Sequence, residues 1–158
     1  MAIEIERKFR ILNDEWKSSI VKSTLFRQGY LGTDKLSSTR IRISNNSAFL
    51  NIKSATLGIF RNEYEYEIPL SDATEMLANL CHKPLIEKTR YYVEHTGHTW
   101  EIDVFEGDNK GLIVAEIELQ NEAEIFAKPS WIGAEVSHDQ RYYNVCLVSH
   151  PYKDWTDK

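Results

Sequence analysis

The chain has 158 residues, 42% of them hydrophobic and 27% charged, with 7 glycines, 4 prolines and a formal net charge of −5. That length suits one domain with a real core, and the composition excludes a disordered, collagen-like or low-complexity chain. The acidic balance argues against a general nucleic-acid binder, although it says little about a local basic pocket.

Taken in chain order, the main signal is period two. In Ile3–Phe9, Glu4, Glu6 and Lys8 share one parity while Ile3, Ile5 and Phe9 take the other, interrupted by Arg7. As a strand, this segment turns three charges to one face. Asp14–Val21 reads as a helical segment. The alternation then returns, with Arg40 and Arg42 between Ile41 and Ile43, and Asn51 and Lys53 between Leu50 and Ile52. Glu63, Glu65 and Glu67 alternate with Tyr64, Tyr66 and Ile68. Ser71 can N-cap a helix through Leu80, with Ala73, Met76, Leu77 and Leu80 along one side. Lys88 and Arg90 precede Tyr91 and Val93; Glu101 and Asp103 alternate with Trp100, Ile102 and Val104; Glu116 and Glu118 alternate with Ala115, Ile117 and Leu119. A last helical segment lies around Tyr142–Val148. Asn45-Asn46, Gly58, Gly97 and Gly107–Gly111 supply turn chemistry between the strands, which predicts an antiparallel meander.

Residues 1–150 form one domain on this reading, with 151–158 a peripheral tail. Apolar runs are short and the N-terminus is charged, so a cytoplasmic protein without a membrane segment is expected. Cys81 and Cys146 are expected as thiols rather than a bridge. His95 and His98 flank Gly97 at a hairpin tip, and His82, His138 and His150 have no partner pattern. Tyr64, Tyr66 and Tyr91 lie opposite the charges, so packing beneath helices is expected for them, and packing is also the reading for Trp16, Trp131 and Trp155.

An ordinary half-buried sheet would explain alternation. These polar faces, however, carry dense carboxylates and guanidiniums sorted by strand: acidic at 63–67, 101–103 and 116–118, basic at 40–42 and 88–90, mixed at 4–8. If the sheet closes so that they line one cavity, the result is a barrel with a hydrated, charged lumen. Such crowding is tolerable only where unlike charges pair or bound ions neutralise the excess. Carboxylates without cysteine or histidine partners favour Mg²⁺ or Mn²⁺ over zinc. Clustered arginine and lysine favour a polyanion, because guanidinium forks match phosphate oxygens. Together these are the parts of phosphoryl transfer, and no P-loop motif is present.

The N-terminal EIERK resembles the ExExK signature of the CYTH superfamily, the triphosphate tunnel metalloenzymes. The similarity continues through RIR at 40–42, LNIKS around Lys53, RNEYEYE at 61–67, KTR at 88–90, EIDVF at 101–105, EIE at 116–118 and EVSHDQRYYN at 135–144. The resemblance implies an α+β fold: an eight-stranded antiparallel closed β-barrel with a charged lumen and helices packed on the outside. It implies metal ligation by Glu4, Glu6, Glu116 and Glu118, assisted by Asp103, with Mg²⁺ as cofactor and Mn²⁺ as the alternative. Lys8, Arg40, Arg42, Lys53 and Arg90 would grip a triphosphate, with Lys88 sharing the parity of Arg90. Glu63 and Glu65 would orient those bases or hold water, and Arg141 would be a basic group from the C-terminal segment. Glu4, Glu6, Lys8, Glu116 and Glu118 form the implied catalytic set. The expected activity is hydrolysis of a small-molecule triphosphate, first of all inorganic tripolyphosphate to pyrophosphate and phosphate, with nucleoside triphosphates as weaker substrates. A class IV-type adenylate cyclase, a thiamine triphosphatase and a non-hydrolysing polyphosphate sensor are the alternatives. A homodimer is left open.

Overall fold

The structure, a computed structural model, describes residues 3–158. Nine strands run β1 (Ile3–Ile11), β2 (Ile20–Thr33), β3 (Ser37–Ser44), β4 (Ser47–Ser54), β5 (Phe60–Ile68), β6 (Ile86–His95), β7 (His98–Phe105), β8 (Ile113–Glu118) and β9 (Ile132–Glu135), with helices α1 (Leu70–Asn79) and α2 (Asn144–Leu147). Neighbouring strands pair antiparallel in the order β5-β4-β3-β2-β6-β7-β8-β1-β9. A further pairing of β1 with β5 closes the first eight into a barrel. The first strand makes closure possible by dividing its edges: Ile3–Ile5 pair with β5, and Glu6–Arg10 pair with β8. The ninth strand lies against the end of β1, where Phe9 and Ile11 meet Glu135 and Ile132. Arg7, the residue that broke the charge parity, forks outward onto Glu135 at 2.6 Å.

The long strand β2 carries almost no charge on its buried face, which presents Thr24, Phe26, Gln28 and Tyr30. Its lack of alternating charge is why only its first two residues entered a predicted element, and that as helix. A short 3₁₀ turn at Glu15–Ser19 precedes it, and Trp16 from that turn is buried against Tyr91. Two-residue loops join β3 to β4 and β6 to β7; Thr96 and Gly97 both have positive φ, the conformation that matches hairpin twist.

Three apolar groups hold the barrel. One covers the outside of β1, β6, β7 and β8, where Trp100 stands edge-on to Phe9, Phe126 and Trp131 at 5.6–5.7 Å. A second forms where α1 lays Ala73 and Leu77 on Ile41 and Ala48. Gly29 lets the chain after α1 approach closely, since a Cβ there would meet Cys81 Cβ and Leu85 Cδ2 at 2.8 Å. The helix begins one residue before Ser71, with Pro69 at the cap position and no side-chain cap. Leu80 is exposed instead of joining the buried side.

The third group lies inside the barrel. Ile86, Phe105 and Val114 share the strand parity of Lys88, Asp103 and Glu116, so they point inward, one step further along the axis. Tyr142, Leu147 and Trp155 from the C-terminal segment pack onto them. That segment is an apolar stopper for one end of the barrel, and of the expected peripheral tail Trp155, at 5% exposure, packs into it while residues 156–158 stay exposed. Tyr64 and Tyr66 are exposed, at 44% and 57%, because α1 does not extend over their part of β5; only Tyr91 of the three tyrosines packs as expected. Cys81 and Cys146 are unbridged. Among the described residues no helix is long and apolar enough to cross a membrane.

Candidate active site

Above the stopper the lumen opens into a cavity of about 190 Å³ lined by charged side chains from seven of the eight strands. Strand register explains how they meet. Glu6 faces Glu118 and Lys8 faces Glu116 across β1 and β8, while Glu101 faces Glu116 across β7 and β8. Arg90 faces Asp103, Lys53 faces Glu63, and Glu4 faces Arg61. Gln28 and Tyr30 of β2 face Arg42 and Arg40.

The charges sort into two walls and a seam. Along the seam, opposite charges pair tightly. Lys8 Nζ lies 2.8 Å from Glu116 and 3.1 Å from Glu6. Arg90 forks onto Asp103 at 2.7 and 2.9 Å, donates to Glu101 and reaches Glu116 at 3.4 Å. Lys88 Nζ donates at 2.7 Å to Asp103 Oδ2, the oxygen that also accepts from Arg90 Nη2. Burial opposes ionisation at each of these groups, yet Arg90 and Lys88 hold Asp103 below the usual carboxylate range, and Lys8 with Arg90 holds Glu116 well below it. Lys8 and Arg90 are in turn raised by their carboxylates against the cost of burial.

The acidic wall is not satisfied in this way. Burial and the neighbouring Glu116 push Glu6 up to about 7, Lys8 notwithstanding. Burial together with Glu4, Glu101, Glu6 and Glu63 raises Glu118. On the basic wall the opposite holds. Burial beside Arg40 and Arg90 pulls Arg42 down to about 9, and burial beside Arg90 and Arg42 pulls Lys88 down to about 7 despite Asp103. The Arg42 guanidinium donates from Nε to Gln28 Oε1 at 3.1 Å and lies 4.2 Å from the centre of the Phe26 ring. Among the described residues, Arg40, 6% exposed, finds no partner for its Nε, and the fully buried Asn51 finds none for its Oδ1.

Glu4, Glu6, Lys8, Arg40, Arg42, Lys53, Glu63, Lys88, Arg90, Glu116 and Glu118 therefore come together on one cavity, as the alternation anticipated. Three expected site residues stand elsewhere. Asp103 is fully buried beneath the lining, with Oδ2 accepting from Lys88 and Arg90 and Oδ1 from Arg90, so its carboxylate is engaged by the two bases rather than facing the cavity. Glu65 is exposed and accepts from Asn51 Nδ2 at 2.7 Å. Arg141 points away from the lumen, forked onto Asp139 and bound to Asp157 at 2.8 Å. In its place the C-terminal segment brings Tyr143 and Asn144 to the cavity. Ser38, Tyr30, Asn51, Tyr143 and Asn144 also line the cavity and, being uncharged, leave no mark in the charge pattern of the sequence; Arg61 shares its strand's inward parity and Glu101 its strand's charged face, and both line the cavity.

The donors on the acidic wall are all carboxylate oxygens, the chemistry of a hard divalent cation. Among the described residues, no three His, Cys, Asp or Glu side chains converge as a ready-made ligand cage. Mg²⁺ characteristically takes only one or two carboxylates and fills its remaining positions with water and substrate phosphate, so the Glu6–Glu118 pair fits it.

Residues 2–145 match the CYTH domain. The chain belongs to the CYTH family. Its relatives include an inorganic triphosphatase of Acetivibrio thermocellus, 50% identical over 157 residues, which span 99% of this chain and 100% of that protein. An inorganic triphosphatase of Nitrosomonas europaea is 36% identical over 149 residues, covering 92% and 96% of the two chains. The crystal structure of an inorganic triphosphatase, 35% identical, superposes with a TM-score of 0.66 over 94% of this chain and 95% of its own. The closed barrel is thus the CYTH fold, and the paired charges along successive strands are the part of that fold that faces inward.

Proposed function

We propose that this CYTH protein is a divalent-metal-dependent inorganic triphosphatase that hydrolyses tripolyphosphate to pyrophosphate and phosphate. The observation that carries the reading is the gathering of carboxylates and of guanidinium and ammonium groups on one small cavity, where Glu6 and Glu118 are driven toward protonation and Arg42 and Lys88 toward neutrality even with Lys8 beside Glu6 and Asp103 beside Lys88. A polyanion with a bound divalent cation supplies the missing partner to both at once. The names of its CYTH relatives agree with it.

In this reading Arg40, Arg42, Lys53 and Lys88 hold phosphate oxygens, the guanidiniums by paired N–H donors and the lysines as point charges. Lys8 and Arg90 stand at the junction of the walls, where each already balances carboxylates and can share a donor with the substrate. Glu6 and Glu118 hold the cation, with Glu4 and Glu116 beside them; Mg²⁺ is the expected ion and Mn²⁺ the alternative. When bound, the cation neutralises phosphate charge and lowers the pKa of coordinated water. The closed wall and the apolar stopper keep water from one end of the lumen, which strengthens the contacts made near it. With Asp103 committed to Lys88 and Arg90, its role is to position those two bases. Holding the chain of phosphates straight and its terminal phosphorus exposed to water is the proximity contribution.

The test is phosphate release from tripolyphosphate and from ATP, with Mg²⁺ or with EDTA, with cyclic AMP measured in the ATP reactions. Metal-dependent phosphate from tripolyphosphate without cyclic AMP is expected. Cyclic AMP and pyrophosphate from ATP would replace the hydrolase by a cyclase.

A further inference from the structure

We infer that Asn144, on the first turn of the C-terminal helix α2, is a substrate-binding residue that donates its amide N–H groups to a phosphate oxygen of the bound triphosphate. The inference deepens the triphosphatase reading and rests on it. Its basis is a chain of two amides whose orientations are fixed by obligate donors. Arg42 can only donate, so the Gln28 atom 3.1 Å from its Nε is the carbonyl Oε1, which turns Gln28 Nε2 toward Asn144. Lys88 also can only donate, so the Asn144 atom 2.8 Å from its Nζ is Oδ1. That same oxygen accepts from Gln28 Nε2 at 3.0 Å. Both acceptor directions of Asn144 Oδ1 are then filled, by Lys88 and Gln28.

The remaining half of the amide is Nδ2, with two hydrogens. Asn144 lines the charged cavity, and among the described residues its Nδ2 donates to none, while it is not one of the enclosed polar atoms left unpaired. Gln28, fully buried, holds the amide plane from behind, and its other end holds Arg42. The result is a neutral double donor set between two bases of the basic wall. A bridging or terminal phosphate oxygen bound by Lys88 and Arg42 lies where such a donor adds a further hydrogen bond. Because the amide carries no charge, it does so without adding to the repulsion that already burdens Arg42 and Lys88.

A purely structural Asn144 and a donating one predict opposite orders for two variants. Asn144→Asp keeps an acceptor for Lys88 and Gln28 but replaces the donor by a carboxylate facing the phosphates; Asn144→Ala removes both. The donor role predicts that KM for tripolyphosphate at saturating Mg²⁺ rises about tenfold in Asn144→Ala and about a hundredfold in Asn144→Asp, the scale of one hydrogen bond to a charged group and of its reversal. Melting temperatures should stay within a few degrees of wild type. Gln28→Met, which frees the amide to rotate, should give a smaller KM increase of the same kind. Asn144→Asp equal to wild type with Asn144→Ala impaired would make Asn144 a positioning residue for Lys88 and overturn the inference. So would KM values within twofold in both variants, or a loss of melting temperature without a KM change. A wild-type protein inert toward tripolyphosphate would remove the triphosphatase reading itself, a result distinct from an active wild type with unaffected variants.

Discussion

The acidic and basic walls of the lumen are built from the same grammar, charged residues alternating with apolar ones on neighbouring strands, yet they differ from the seam between them in how their charges are answered. At the seam every carboxylate has a base within hydrogen-bonding distance, and Asp103 and Glu116 titrate low while Lys8 and Arg90 titrate high. On the two walls like charges face like: Glu6 opposite Glu118, and Arg42 beside Arg40. The seam is a finished structure that ties β1, β6, β7 and β8 together. The walls are only partly answered: Lys53 bridges Glu4 and Glu63, and Lys88 and Glu6 each lean on the seam, while Arg42 has Gln28 as its hydrogen-bond partner and Glu118 faces further carboxylates. Stability and function thus occupy adjacent positions on the same strands, distinguished by whether the partner charge is supplied by the chain.

The sharpest way to break this contrast is to remove a wall charge while keeping its volume. Glu6→Gln should lower turnover at limiting Mg²⁺ by about 10² to 10³, the range for loss of one strong electrostatic contact in a transition state. The same substitution should raise the melting temperature in EDTA at pH 8, because the wild-type carboxylate is ionised there against its environment and glutamine is not. The counterpart at the seam, Glu116→Gln, leaves Lys8 and Arg90 short of a carboxylate and should lower melting temperature as well as turnover. If both variants destabilise equally, the division into wall and seam fails.

The pH dependence sharpens the same comparison. Between about 4.5 and 7 the unfolded chain has released the proton that native Glu6 keeps, so the native state binds more protons and stability falls as pH rises. Between about 7 and 10.5 the unfolded chain keeps the proton that native Lys88 has released, so stability rises with pH. The metal-free, substrate-free protein should therefore show a local dip in these two contributions near pH 7. Below pH 7 a proton competes for Glu6, and the Mg²⁺ concentration needed for half-maximal activity should increase by up to tenfold per pH unit. Unfolding curves in EDTA and Mg²⁺ titrations from pH 5.5 to 9 read both effects; a Mg²⁺ requirement independent of pH would take Glu6 out of the metal site.

How much of this was legible in the sequence follows from the same physics. Strand alternation with sorted charges marks seven barrel strands and most of the cavity lining, because a two-residue period and full charges are the two signals a sequence carries most directly. The strand β2 escaped because its inward face uses Thr24, Phe26, Gln28 and Tyr30, which neither alternate in charge nor differ sharply from a helix pattern. The stopper escaped for a related reason: inward-facing Ile86, Phe105 and Val114 look like ordinary core residues until the barrel's interior is known to change from polar to apolar along its axis. Asn51, Gln28 and Asn144 are single amides, and only tertiary neighbours reveal what each one holds.

The smallest expected effect concerns Arg141, the one expected grip residue that lies outside the cavity. Its guanidinium forks onto Asp139, reaches Asp157 and lies 4.9 Å from the centre of the Trp155 ring, so it clasps the C-terminal stopper from the solvent side. Exposed ion pairs of this kind contribute about 0–1 kcal/mol. Arg141→Ala should therefore leave KM and kcat for tripolyphosphate within about twofold of wild type and lower the melting temperature by no more than a few degrees. Trp155→Ala, which opens a cavity in the stopper, should cost about 3–5 kcal/mol of stability by the same readout. The contrast is informative because Arg141 lies three residues from Asn144 in the chain. A large KM increase in Arg141→Ala with normal stability would mean that the C-terminal segment turns this guanidinium into the lumen when substrate binds, and the basic wall would then have one more member than the unliganded barrel displays.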